Sequence, residues 1–331
     1  MHEHAGGRQA GTRLGPYRLL ELLGRGAHGE VWRAVPAAEG GEPVALKLPL
    51  AEQHLPALLQ GARAQAALRH PAIVRVLRIA PHAEPPYVAY RLLAGGSLRA
   101  RLRAAPLEPA EAAALLAAVL GGLAHAHRAG VAHLDLKPEN VLADGRGGWA
   151  LTDFGLGPAA GSELVLSEAL GSGFLAATPA YLAPEVLAGQ PPGPAADVYA
   201  CGLLVFEALT ARLPCGRELP SQVRPGLAPW CDRAYELLCA PPGRRPADAA
   251  AALAAVRRLQ PAPLAEPPGG AAPMPRWTEA RAAPLAWREL PARAEPRAGA
   301  GAGWPRLRRW WSWWWARRDS NPQRGSPPEG F

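Results

Sequence analysis

Apolar and polar positions change their spacing along the chain. Tyr17 to Leu23 reads as a strand that runs into the glycine-rich stretch GRGAHGEV, and Val31-Trp32-Arg33-Ala34-Val35 continues as a second strand. Val44-Ala45-Leu46-Lys47 alternates with period two, as a half-buried strand does. Pro86 to Leu98 predicts a strand, a crossover and then Gly-Gly-Ser entering a helix. From there the pattern turns helical. Glu108 to Arg128 is an Ala/Leu-rich helix with Pro109 at its start, where a missing N–H costs nothing. Its apolar run, Ala112 to Ala124, is too short to cross a bilayer and predicts a buried helix. Helical pattern fades near Gln260.

A length of 331 residues allows one large core or two modest domains. Arginine is the default cation here. Lysine occurs twice, at Lys47 and Lys137, and arginine fills the other 34 of 36 basic positions. That bias suggests two places where a compact ammonium is needed. Cys201, Cys215, Cys231 and Cys239 show no C-x-x-C spacing, which predicts buried reduced thiols. The first residues, MHEHAGGRQAGTR, carry no apolar run of the signal-peptide kind.

One stretch, VAHLDLKPENVLADGRGGWALTDFG from Val131 to Gly155, concentrates the candidate chemistry. Asp135 is a candidate general base and Lys137 a cation, while Asn140 and Asp153 are hard oxygen ligands of the kind Mg²⁺ takes. Phosphoryl transfer needs these parts, because its transition state is loose and catalysis is mostly positioning and charge neutralisation. His133-Leu134-Asp135, then Asn140, then Asp153-Phe154-Gly155 follows the pattern H-R-D-x-x-x-x-N and D-F-G. Gly24, Gly26, Gly29 and Val31 fit G-x-G-x-x-G-x-V, and Val44 to Lys47 fits V-A-I-K. A dinucleotide-binding reading of the glycines is disfavoured, since a strand follows them where that fold needs a helix. The chain resembles a eukaryotic-like Ser/Thr protein kinase of the kind also found in bacteria.

The resemblance implies an α+β, bilobal protein-kinase fold at residues 17–258, with a small β-rich N-lobe (about 17–93) and a larger helical C-lobe (about 94–258). Residues 1–16 are expected to be a flexible N-terminus. It further implies ATP and Mg²⁺ as cofactors and protein Ser/Thr hydroxyls as acceptors, in signalling. Asp135 would take the hydroxyl proton, Lys137 would face the γ-phosphoryl oxygens and Lys47 the α/β-phosphates. Asn140 and Asp153 would hold the metal. Leu23, Gly24, Gly26, Gly29, Val31, Ala45, Tyr90 (the gatekeeper), Leu93 and Leu142 would line the nucleotide site. Thr178 would face the substrate. Ala183-Pro184-Glu185 matches A-P-E, with Glu185 paired to Arg245 and Asp197 supporting the catalytic loop.

Two departures from the pattern carry their own expectations. The next helix should supply a Glu for Lys47, but that position falls near Gly61, so Gln60 or Glu52 is expected to compensate. Leu134 stands where the family has an Arg that pairs with a phosphorylated loop residue, so activity should not depend strictly on loop phosphorylation. These departures keep open a nucleotide-binding pseudokinase or scaffold; a small-molecule kinase is disfavoured by the A-P-E segment.

Residues 259–331 form a Pro/Ala/Arg-rich linker and a Trp/Arg-rich tail, a composition expected of disordered chain. From Pro261 on, 11 Arg stand against 6 acidic residues, a local +5 of the chain's +8. Trp310, Trp311, Trp313, Trp314 and Trp315 lie between Arg309 and Arg317. Such a segment, about 306–318, suits contact with an anionic membrane surface, and an unselected extension is the plain alternative. Nucleic-acid stacking has no fold behind it, so no nucleic acid is expected. The expected location is cytoplasmic and peripheral to a membrane.

Overall fold

The structure, a computed structural model, describes residues 9–26, 29–38, 40–154 and 179–259. Thr178 and the Trp/Arg segment lie outside the described residues. Six strands form one antiparallel sheet: β1 (Arg13–Leu14), β2 (Tyr17–Arg25), β3 (Gly29–Pro36), β4 (Val44–Pro49), β5 (Val76–Ala80) and β6 (Tyr87–Arg91). Their order is β1-β2-β3-β4-β6-β5. The sheet starts ahead of Tyr17, which corrects the flexible segment expected at 1–16. Gly15, at φ 54°, turns the chain, so that Leu14 pairs with Tyr17 and is buried. The Gly15-Pro16 pair is a tight turn within the sheet and not the edge of the fold.

Period two decides what faces the cleft. Val44, Leu46 and Leu48 go into a core with Leu19, Trp32 and Tyr87. Ala45 and Lys47 therefore point to the opposite face. There, Leu58 and Ala62 of helix α1 (Leu55–Ala66) pack with Ala45, Val88 and Tyr90.

The rest is helical apart from the hairpin of β7 (Val141–Ala143) and β8 (Trp149–Leu151). Helices α2 (Leu98–Leu102) and α3 (Pro109–Arg128) precede that hairpin. After it come α4 (Pro184–Leu187), α5 (Pro194–Thr210), α6 (Pro220–Val223), α7 (Pro229–Leu238) and α8 (Ala249–Leu259). Proline is the first residue of α3, α4, α5, α6 and α7, so a proline-rich sequence uses it where φ is already helical and no N–H is owed. Glu108 caps α3 instead of opening it. By length and composition α3 is apolar enough to cross a membrane, contrary to the expectation from its central run, but 56% of that stretch is buried inside the protein. Leu116, Leu120 and Leu123 of α3 share one core with Leu204 of α5, Leu238 of α7 and Val256 of α8. Cys201, Cys231 and Cys239 are buried, while Cys215 is exposed.

Helix α5 is apolar on all sides, and every residue from Asp197 to Leu209 is buried. Gly202 lets α7 come close: a Cβ there would lie 2.4 Å from Cys239 Sγ and 3.0 Å from Leu238 Cβ. Gly202→Ala should therefore cost about 1–3 kcal/mol by overpacking. The check is a lower urea midpoint with an unchanged m-value.

Candidate active site

The loop between α3 and β7 is fixed from beneath. Asp197, 1% exposed at the start of α5, accepts the backbone N–H of His133 and of Leu134, each at 2.8 Å. His127 Nε2 lies 2.9 Å from the same carboxylate, and its Nδ1 accepts the Ala249 N–H, which puts the proton on Nε2. Leu134 takes φ 61°, a left-handed conformation that an L side chain adopts at a cost. The paired N–H···O bonds hold it there. His133 is fully buried against Phe154; it accepts the Asp135 N–H at Nδ1 and reaches the Thr152 carbonyl at 3.0 Å through Nε2.

Above this platform three of the expected site residues meet. Lys137 Nζ lies 2.9 and 2.7 Å from the two Asp135 carboxylate oxygens. Asn140 Nδ2 donates to the Asp135 carbonyl at 2.8 Å and to Oδ2 at 3.0 Å. Asn140 is 5% exposed, so these bonds are shielded from water and hold Asp135 in one pose.

Lys47 and Asp153 form the second group. Lys47 Nζ lies 2.7 Å from Asp153 Oδ2, with the side chains 18% and 23% exposed. Burial drives the Asp153 pKa up, but Lys47, with help from His133 and Lys137, outweighs it and leaves the carboxyl below its ordinary value. Burial, together with the Asp153 charge, pushes the Tyr90 hydroxyl well above its usual pKa, so Tyr90 stays neutral.

Neither of the residues expected to replace the helix carboxylate does so. Glu52 sits in the turn before α1 and Gln60 is on the outer face of the helix; both are exposed. Gly61 does face the site, lining a small cavity of about 10 Å³ with Lys47, Leu58, Tyr90, Asp153 and Phe154. One helical turn further on, the buried Gln65 reaches the backbone of Asp153, a residue the sequence reading passed over. Its spacing of four from Gly61 puts it on the same helix face and was the clue available.

The expected nucleotide-lining residues converge in part. Ala45 lies opposite Tyr90, Lys47 opposite Val31, and Gly24 also opposite Val31. Ala45, Leu93 and Leu142 pack on the cluster that contains Tyr90. Leu23 is 47% exposed at the sheet's end. Gly29 has a reason of its own within the sheet, since a Cβ there would sit 2.6 Å from the Leu48 carbonyl oxygen. Among the described residues nothing lies within 4 Å of a Cβ built at Gly24, which leaves room above the strand.

Around the platform, Arg245 pairs with both oxygens of Glu185, at 2.5 and 3.2 Å, and lies over the Tyr199 ring. Leu134 lines a cavity of about 40 Å³ in which Leu136, Leu182, Val186 and Pro192 stand beside the carboxylates of Asp135 and Asp197. A further cluster escaped the sequence reading. Glu207 of α5, 4% exposed, binds both Arg99 and the Tyr181 hydroxyl, and Arg99 also reaches Glu139 at 2.7 Å. These partners lie 108 and 26 positions from Glu207, beyond any local pattern.

A divalent cation suits the donor set. With Asn140 Nδ2 committed to Asp135, its Oδ1 is left for a cation, and Asp153 has a second oxygen besides the one on Lys47. The Thr152 N–H on the Asn140 carbonyl, at 3.0 Å, ties the two donor segments together. Two hard oxygens completed by phosphate and water match the preference of Mg²⁺.

Comparison with known proteins follows the same outline. The protein kinase domain family matches residues 17–225. The serine/threonine-protein kinase PknL of Mycobacterium tuberculosis is 40% identical over 178 residues, covering 52% of this chain and 44% of that one. The serine/threonine-protein kinases PkaA and PkaB of Streptomyces coelicolor are 39% and 37% identical, covering 60% and 65% of this chain. The chain spans 40% and 53% of those two relatives' lengths. A crystal structure of Rad53 1-466 in complex with AMP-PNP superposes with a TM-score of 0.58 at 23% identity, over 72% of this chain and 64% of that one, a likeness of fold.

The Lys47–Asp153 pair makes a pH test. A carboxyl whose folded pKa is depressed adds stability above the ordinary carboxylate range and loses it as pH falls through the folded value. Lys47→Met leaves burial as the main influence on Asp153. The stability that this variant loses relative to the unaltered chain, read from urea midpoints across a pH series, should then be largest near neutral pH and shrink as pH falls through the carboxylate range.

Proposed function

Because this chain belongs to the protein kinase domain family and its relatives are serine/threonine kinases, we propose that it transfers the γ-phosphoryl group of ATP to Ser/Thr hydroxyls of proteins. The observation that carries the proposal is the pairing of Asp135 with Lys137 and Asn140 beside the Lys47–Asp153 pair, at distances of 2.7–3.0 Å.

The roles follow from the groups. Asp135, held by Asn140, accepts the proton of the attacking hydroxyl as the new P–O bond forms and the bond to the β-phosphate oxygen breaks, releasing ADP. Lys137 stands beside that carboxylate and faces the charge on the transferred group. Lys47 holds the α/β-phosphates, while Asn140 and Asp153 would hold Mg²⁺. A metal held there would supply positive charge against the charge on the transferred group. Ala45, Tyr90, Leu93 and Leu142 supply an apolar surface for the base. Rad53 binds AMP-PNP in its own structure, and an ATP analogue suits the present reading.

A second reading, a nucleotide-binding scaffold without transfer, rests on Gly61, which gives Lys47 no helix carboxylate. Radiolabelled ATP with a generic protein substrate separates the two. Transfer by the unaltered chain that falls about 10²–10⁴-fold in Asp135→Asn, with nucleotide binding kept, is the expected result. Binding with no transfer by the unaltered chain overturns the enzyme. Among the described residues, the cavity beside Leu134 is lined by no cation for a loop phosphate, so phosphatase treatment should leave most of the activity in the same assay.

A further inference from the structure

Gln65 is a long polar side chain in an apolar place, 1% exposed on α1 next to Ala62. Its amide is used at both ends. Nε2 donates to the Val74 carbonyl at 2.7 Å. Oε1 accepts the Asp153 N–H at 3.1 Å and, more weakly, the Phe154 N–H at 3.5 Å. Val74 in turn donates to the Leu151 carbonyl at 2.8 Å, and Leu151 donates to Ala72 at 2.9 Å. The helix, the 72–74 segment and the end of β8 are thus joined through one amide.

What that amide holds is the backbone of Asp153, which takes φ 63°. The bond from its N–H to Gln65 helps hold this residue left-handed, and with it the direction of the carboxylate that brings Oδ2 to Lys47. Four positions back on the same helix face, Gly61 has no side chain to offer Lys47.

We propose that Gln65 is a positioning residue that sets the Asp153 carboxylate through its backbone, so that α1 controls the metal- and phosphate-facing group by an amide clamp instead of a carboxylate at position 61. The role rests on the phosphoryl-transfer reading above, but the clamp itself can be measured without turnover.

The experiment compares the full chain with Gln65→Leu and Gln65→Glu by site-resolved amide hydrogen exchange and by the Mg²⁺ dependence of ATP turnover. In Gln65→Leu the Asp153 and Phe154 amides should exchange at least tenfold faster while those of α3 keep their rates. Half-saturation by Mg²⁺ should rise about tenfold, and kcat should fall more than the KM for protein substrate rises. Gln65→Glu keeps the acceptor and loses the donor to Val74, so slow exchange at 153 and 154 should return and Mg²⁺ half-saturation should move back toward the unaltered value. Unchanged exchange and Mg²⁺ dependence in Gln65→Leu would overturn the proposal. Should Gln65→Leu fail to fold, Gln65→Glu decides: fast exchange at 153 despite a carboxylate acceptor counts against the clamp. If the unaltered chain transfers no phosphoryl group, the kinase reading fails by itself and the exchange rates still judge Gln65.

Discussion

Two side chains carry the candidate site in a backbone conformation that L-residues avoid. Leu134 and Asp153 both take φ near +60°, and each is held by an acceptor oxygen buried in a helix distant in sequence. Asp197 receives two consecutive N–H groups at 133 and 134; Gln65 receives two at 153 and 154. Strain of this kind persists only where the surroundings over-determine it. The two loops that bear Asp135, Lys137, Asn140 and Asp153 therefore inherit their shape from α5 and α1.

Helix α5 runs through the core of the helical region. Its apolar surface is buried all round, and its polar residues are spent inward: Asp197 on the catalytic loop, Glu207 on Arg99 and Tyr181. A buried carboxylate is tolerable only when it is paired and hydrogen-bonded. Each of these two meets that condition by fastening another segment to the helix, so the same bonds that satisfy the core also place the loop. The sheet has a simpler logic, in which strand alternation sends Leu46 and Leu48 into the core and Lys47 toward Asp153.

Local pattern was enough to read the strands and α3, because those rest on period-two and helical spacing, while the candidate groups at 47, 135, 137, 140 and 153 stand in short motifs. Glycine at 61 was read correctly as the missing carboxylate, since its register could be counted from Leu68 to Val76. The compensation was not legible. Glu52 and Gln60 stand near in sequence and have polar side chains, whereas the outcome depends on which helix face is buried. Gln65 lies 88 positions from the backbone it holds, and Glu207 lies 108 from Arg99. Bonds across such separations are set by packing; the spacing of four from Gly61 gives the helix face of Gln65 but not its partner. The start of the sheet was misplaced for a related reason: Gly15-Pro16 marks a turn, and only the pairing of Leu14 shows that the chain on its far side belongs to the fold.

The scarcity of lysine has a practical side. Each of the two ε-amines is mostly covered, 18% and 16% exposed, and each lies 2.7 Å from an aspartate oxygen in the cleft. Apart from a terminal amine, the chain offers no other primary amine to acylating or cross-linking reagents. Covalent labelling at amines thus becomes a footprint of cleft occupancy, with no background from a lysine-coated exterior.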